Sequence, residues 1–468
     1  MLQGRFTSAL SGALIVVTLT SCSPSGASDR GPARSGTAGA SGIGDADFPT
    51  DGNGGYDVGH YTLALGYDPA SRRLAGTTTI DATATENLSS FNLDLRGFTV
   101  DAVTVGGRSA PFSRSGDEMT VTADLRKGVP FQAVVTYQGE PQPVRDSSNL
   151  GSYGFIPTKD GSFVTAEPNG AKTWFPSNDH PADKATYDFR LTVPDGVTAI
   201  ANGELQGRPA SSGGKTTFVW RETHPMASYL ATMTTGNFLV KTGTSEAGTP
   251  VYAAVDPRYQ GQLTRLYELS GRITDYWSTI FGPYPFKSTG GVIDDYASGY
   301  ALENQTKPIY GGFEPDEGII SHELAHQWFG DSVSISRWKD LWLNEGFATY
   351  AEWLWSEHQG QGTVQQIFDR HYRNAEDPIW NYPPGVAQKN DLFNNSVYTR
   401  GAMALHALRT QVGDQTFFTI IRRWAADHQY GNATTEQFTA LAEQLSGQKL
   451  GELFGQWLFD KGRPTTLG

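Results

Sequence analysis

Apolar and polar positions alternate along residues 56–240, as in Tyr61-Thr62-Leu63-Ala64-Leu65 and Phe91-Asn92-Leu93-Asp94-Leu95. A period of two, interrupted by turn dipeptides such as Gly106-Gly107 and Gly213-Gly214, predicts antiparallel β-structure. Beyond about residue 245 the apolar spacing becomes helical, at 263–281, 318–329, 347–355 and 402–412. No repeat at a solenoid or propeller period is present. The predicted architecture is therefore α+β and multidomain, with an antiparallel β domain over residues 49–243 and a mainly α domain over residues 244–468.

The segment ahead of the β domain reads differently. Residues 1–21 carry Arg5 and then an apolar run through Val17, too short to span a bilayer and shaped like a signal-peptide core. Leu19-Thr20-Ser21-Cys22 resembles a bacterial lipobox, which makes Cys22 the expected lipidation site and the mature N-terminus. The expected location is the outer face of the cell membrane as a lipoprotein, or secretion if Cys22 stays free. Residues 22–48 are mostly Ser, Gly, Ala and Asp, a composition that predicts a flexible linker.

Length and composition narrow the function. At 468 residues the chain is long enough for more than one cored domain. The formal charge of −13 disfavours nucleic acid or anionic lipid surfaces as partners. One cysteine leaves no intrachain disulfide to hold the fold. Neither a Walker-type phosphate loop nor a Gly-X-Ser-X-Gly elbow occurs.

The chemistry concentrates in His322-Glu323-Leu324-Ala325-His326. On a helix, histidines four residues apart project from one face and can share a metal. Glu323 is offset by about 100°, where its carboxylate reaches a water beside the metal without necessarily ligating it, the placement of a general base. A catalytic zinc takes three protein ligands and keeps one position for water. Glu345, in Asn344-Glu345-Gly346-Phe347, follows after enough chain for a turn and an antiparallel return, and completes a His, His, Glu set for one Zn2+ per chain.

With these residues in hand the chain resembles the aminopeptidase N family of zinc metallopeptidases, over roughly residues 50–468. Its zinc ligands and base fall on His322, His326, Glu345 and Glu323. Gly299-Tyr300-Ala301-Leu302-Glu303-Asn304 falls on the family's Gly-Ala-Met-Glu-Asn exopeptidase motif, with Tyr300 in place of glycine and Leu302 in place of methionine. Tyr398 falls on the tyrosine that hydrogen-bonds the tetrahedral intermediate, and residues 175–187 resemble the β-domain signature. Glu167 occupies the Gln or Glu position that reaches the substrate amine. The resemblance implies a saddle-like β domain followed by a thermolysin-like catalytic domain, and a substrate-binding set of Glu167, Tyr300, Ala301, Leu302, Glu303 and Asn304.

That chemistry is self-consistent. Peptide hydrolysis near neutral pH needs an activated water, which zinc provides by lowering its pKa towards 7, with Glu323 taking the proton. Tyr398 and the metal share the developing oxyanion. Glu303 and Glu167 hold the α-ammonium of a peptide with a free N-terminus, so that the first peptide bond reaches the metal. Other readings of the same residues are a thermolysin-like endopeptidase and a non-catalytic peptide-binding lipoprotein.

Overall fold

The computed structural model of the chain describes residues 36–146 and 150–465; the expected signal segment and Cys22 lie outside the described residues. The alternation read from the sequence forms a nine-stranded sheet. Its central strand, Tyr56–Asp68, buries every second side chain over its apolar stretch. It pairs antiparallel with Arg73–Ala84, which pairs antiparallel with Pro130–Gly139. On its other side it pairs parallel with Lys184–Pro194. This parallel pair departs from the all-antiparallel expectation, because the chain leaves the sheet after Pro130–Gly139 and re-enters beside its first strand.

Two smaller sheets flank it. Leu88–Asp94 and Glu118–Leu125 form the centre of a four-stranded one. A five-stranded sheet contains Gly151–Pro157, Ser162–Thr165 and Met233–Gly236, and leads into the turn bearing Glu167.

The helical half opens on another five-stranded sheet: Leu239–Thr244, Pro250–Val255, Thr289–Asp294, Ile309–Gly311 and Ala301–Leu302, in that spatial order. The strand Leu239–Thr244 crosses the expected boundary at 243/244 and belongs with the helical half, since it pairs with Pro250–Val255. Period two shows a strand but not which sheet it joins. The helices that follow are α1 (Leu263–Phe281), α2 (Glu317–His326), α3 (Trp342–His358), α4 (Val364–Arg373), α5 (Gly401–Val412), α6 (Asp414–Asp427) and α7 (Thr435–Ser446).

Residues 36–48 are not the flexible spacer expected from their composition. Thr37–Ala38 pairs with Leu88–Asp94. The Asp45 carboxylate, 5% exposed, accepts from the Trp338 backbone N–H at 2.8 Å and pairs with His180 at 3.2 Å. Phe48 is buried against the Trp338 ring, centroids 5.7 Å apart. One aromatic and one carboxylate with tertiary partners offset the ordering entropy that small polar neighbours cannot.

Candidate active site

Helix α2 starts where the Asp316 side chain accepts the Ile319 N–H at 2.9 Å, and Ile320, Leu324 and Ala325 anchor it in the core. The opposite side of the same helix presents His322, Glu323 and His326. Helix α3 packs against α2 and brings back Glu345. The Glu345 Oε2 lies 3.2 Å from His322 Nε2 and 3.3 Å from His326 Nε2. An ion bound tetrahedrally at about 2.0–2.1 Å needs donors roughly 3.3–3.4 Å apart. The three residues therefore fit a zinc ion, as the ligand set read from the sequence requires.

Both imidazoles are oriented from behind. His322 Nδ1 is 2.6 Å from Glu352 Oε1, and His326 Nδ1 is 3.0 Å from the Phe329 carbonyl. Donation from each Nδ1–H leaves each Nε2 lone pair directed at the ligand cluster. Burial opposes ionisation of Glu345, but the His326 and His322 contacts outweigh it and hold the carboxyl below the usual range.

The ligands open into a cavity of about 260 Å³ lined also by Glu167, Tyr300, Ala301, Leu302, Glu303, Glu323 and Tyr398. Among the protein groups alone, burial, with the Glu303 and Glu345 carboxylates, pushes the Glu323 carboxyl up to about 8 against the two histidines. Glu303, 2% exposed, accepts from the Tyr229 hydroxyl at 3.1 Å. Glu167 is 3% exposed and its Oε1 has no hydrogen-bond partner. Burial raises both carboxyls, helped by the Glu303 charge at Glu167 and by the Glu345 charge at Glu303, where His326 opposes it. Such a pair favours a cation between them.

The Tyr398 ring stacks near His322 at 6.2 Å and an interplanar angle of 19°. Burial, with Glu345, pushes its hydroxyl well above the ordinary tyrosine range, so it remains a proton donor. Tyr300 is fixed by its hydroxyl, 2.8 Å from Thr165 Oγ1 and 3.0 Å from the Ser152 carbonyl that accepts from it. This tethers the motif loop to the β domain, with Tyr300 lining the cavity.

The structure thus gathers ten of the expected residues at one cavity and leaves one outside it. Asn304 is fully buried, donates from Nδ2 to the Leu230 carbonyl at 2.9 Å, and does not line the cavity; it braces the loop instead of meeting a ligand. Glu352 and Tyr229 were not singled out from the sequence. Glu352 follows Glu345 by two helical turns, a spacing that could have marked it; nothing local marks Tyr229.

The Peptidase family M1 domain profile matches residues 314–457 and the Peptidase M1 N-terminal domain profile residues 58–230. A solved M1 zinc metallopeptidase from Deinococcus radiodurans superposes with a TM-score of 0.84 at 30% identity, over 91% of this chain and 99% of that one. The chain belongs to peptidase family M1. Among curated relatives, the Aminopeptidase N of Lactobacillus delbrueckii subsp. lactis is 26% identical over 440 residues, covering 86% of this chain and 51% of its own length. The Aminopeptidase M1 of Arabidopsis thaliana is 29% identical over 327 residues, covering 64% and 36%. This M1 chain spans about half the length, or less, of the curated relatives it matches, whereas it covers nearly the whole of the Deinococcus structure. Strand-rich and helical halves in this order match the architecture expected from the sequence.

Proposed function

We propose that this chain is a zinc-dependent aminopeptidase that removes the first residue of peptides with a free N-terminus. The observation that carries the reading is the pair of buried carboxylates, Glu303 and the unpartnered Glu167, facing the same cavity as His322, His326 and Glu345. Zinc held by those three residues supplies Lewis acidity and an activated water. Glu323 accepts the proton of the attacking water and passes it to the leaving amine. The Tyr398 hydroxyl donates to the oxygen that gains charge as the carbonyl is attacked. Glu303 and Glu167 bind the α-ammonium, which sets the first peptide bond at the metal site.

Relatives support the substrate class. Related M1 structures are described as bound to a Tyr-Ser-Ala substrate, to L-arginine and to L-tryptophan, ligands that all present a free amine. The same site here takes short peptides, amine first.

The segment ahead of the fold supports a location. The apolar run before Cys22 and the small residues next to it fit export and lipid attachment, with the peptidase held at the outer face of the membrane.

The test is hydrolysis of aminoacyl-arylamides and matching N-acetylated peptides by wild type and Glu323→Gln, with and without chelator. Cleavage of free-amine substrates alone, lost with chelator and in the variant, is the expected result. Cleavage of acetylated peptides would make it an endopeptidase, and no turnover by wild type would favour a peptide-binding role.

A further inference from the structure

Tyr398 is carried on a widened turn. Residues Ser396–Arg400 form a π-helical segment that continues into α5, with the Gly401 N–H donating back to the Ser396 carbonyl. Such a turn is less stable than α-helix and persists where surrounding contacts hold it. Two sets of contacts do so here, and none of the residues that make them lines the cavity.

The first is a cage around Arg400, whose side chain is fully buried. Its Nε donates to the Trp457 carbonyl at 2.9 Å, its Nη1 to the Trp380 carbonyl at 3.3 Å, and its Nη2 to the Gln456 and Asp460 carbonyls at 2.8 and 2.5 Å. A rigid guanidinium fork binding four carbonyls from two distant segments locks the end of the turn in place.

The second is a backbone contact between α3 and α5. A Cβ placed on Gly346 would lie 2.9 Å from the Gly401 carbonyl carbon and 3.0 Å from its Cα; one placed on Gly401 would lie 3.0 Å from the Gly346 Cα. No side chain fits between them. Gly346 follows the metal ligand Glu345 directly, and Gly401 lies one turn after Tyr398.

We infer that Gly346, Arg400 and Gly401 are positioning residues: their glycine contact and carbonyl cage set the Tyr398 hydroxyl at its working distance from the Glu345 side of the metal centre. The inference rests on the aminopeptidase reading. The path from ligand to tyrosine runs through backbone in van der Waals contact, with no rotatable side chain to absorb a displacement. A methyl group at Gly401 separates the helices and shifts Tyr398 without altering a cavity residue. Misplacement of about 1 Å can cost around 10²-fold in rate.

The experiment is a double-mutant cycle. kcat and KM for an aminoacyl-arylamide, bound zinc and Tm are measured for wild type, Gly401→Ala, Arg400→Lys, Tyr398→Phe and each of the first two combined with Tyr398→Phe. Gly401→Ala and Arg400→Lys are expected to keep full zinc and a KM within about twofold while kcat falls roughly 10–100-fold. Combined with Tyr398→Phe, each should add less than about twofold, because the group it positions is already gone. Folded, zinc-loaded variants with wild-type kcat overturn the proposal, as do losses that multiply with that of Tyr398→Phe. Should Gly401→Ala fail to fold, Arg400→Lys decides alone. Wild-type turnover by Tyr398→Phe overturns the proposal too, while loss of activity in Glu323→Gln leaves the peptidase reading standing.

Discussion

The Nδ1 of His322 lies 2.6 Å from a carboxylate oxygen of Glu352, two turns along α3 from the ligand Glu345. One helix therefore supplies both a ligand and the group that orients another ligand. Glu352→Gln keeps the size but removes the charge that draws the Nδ1 proton. Zinc affinity measured by chelator competition is expected to fall about 10–100-fold, with turnover at saturating zinc reduced less.

Tyr229 tests the amine site from behind. Its hydroxyl holds Glu303 at 3.1 Å, and Tyr229→Phe removes that donor while keeping the ring. Loss of one hydrogen bond to a charged group costs about 1.5–3 kcal/mol. The expected outcome is a KM for free-amine substrates raised roughly tenfold or more, with a smaller change in kcat; an unchanged KM would show that Glu303 is held by the fold alone.

Asp45 tests the role of the N-terminal segment. Its carboxylate is held down at about 2, where the His180 and Trp338 N–H contacts outweigh burial. Asp45→Ala leaves a buried imidazole and a backbone N–H without their acceptor. A loss of about 3 kcal/mol in stability is expected, seen as a lower denaturant midpoint, and a variant of wild-type stability would show the segment to be only loosely docked.

His406 sets part of the acid limit of the fold. Burial pulls its pKa down to about 4, Arg409 adding to the effect; the neutral ring sits 3.0 Å from Gln365 Oε1 and 3.3 Å from the Tyr350 hydroxyl. The folded value lies below the unfolded value of about 6.5, so between the two the unfolded chain binds more protons. Stability is then lost as pH falls from about 6.5 to about 4, by about 3 kcal/mol at most. Denaturant titrations from pH 7 to 4 should show a shallower decline in His406→Gln than in wild type.

Local features of the chain specify much of its secondary structure. The alternation in Tyr56–Asp68 exists because a half-buried strand exposes every second side chain. The spacing of His322 and His326 identifies a shared metal because helical geometry repeats near four residues. Cap and core residues such as Asp316 and Leu324 place that pair on a helix without reference to any distant segment.

What local pattern does not contain is which distant groups meet. Phe48 and Asp45 sit in a run of small residues whose composition argues for disorder, yet Trp338 and His180 bind them. The parallel pairing of Tyr56–Asp68 with Lys184–Pro194 and the edge strand Leu239–Thr244 were decided by sheet assembly. Asn304 looked like a ligand group because of its neighbours in sequence, and became a brace because the Leu230 carbonyl lies beside it. Alternating strands, the later helices and the spacing that sets His322 and His326 on one helix face are written in the chain itself, since they follow from periodicities within a few helical turns. That Tyr229 backs Glu303, that Glu352 orients His322, and that two glycines join the helices of Glu345 and Tyr398 are settled by packing, because contacts between residues far apart in the chain are encoded by no local period.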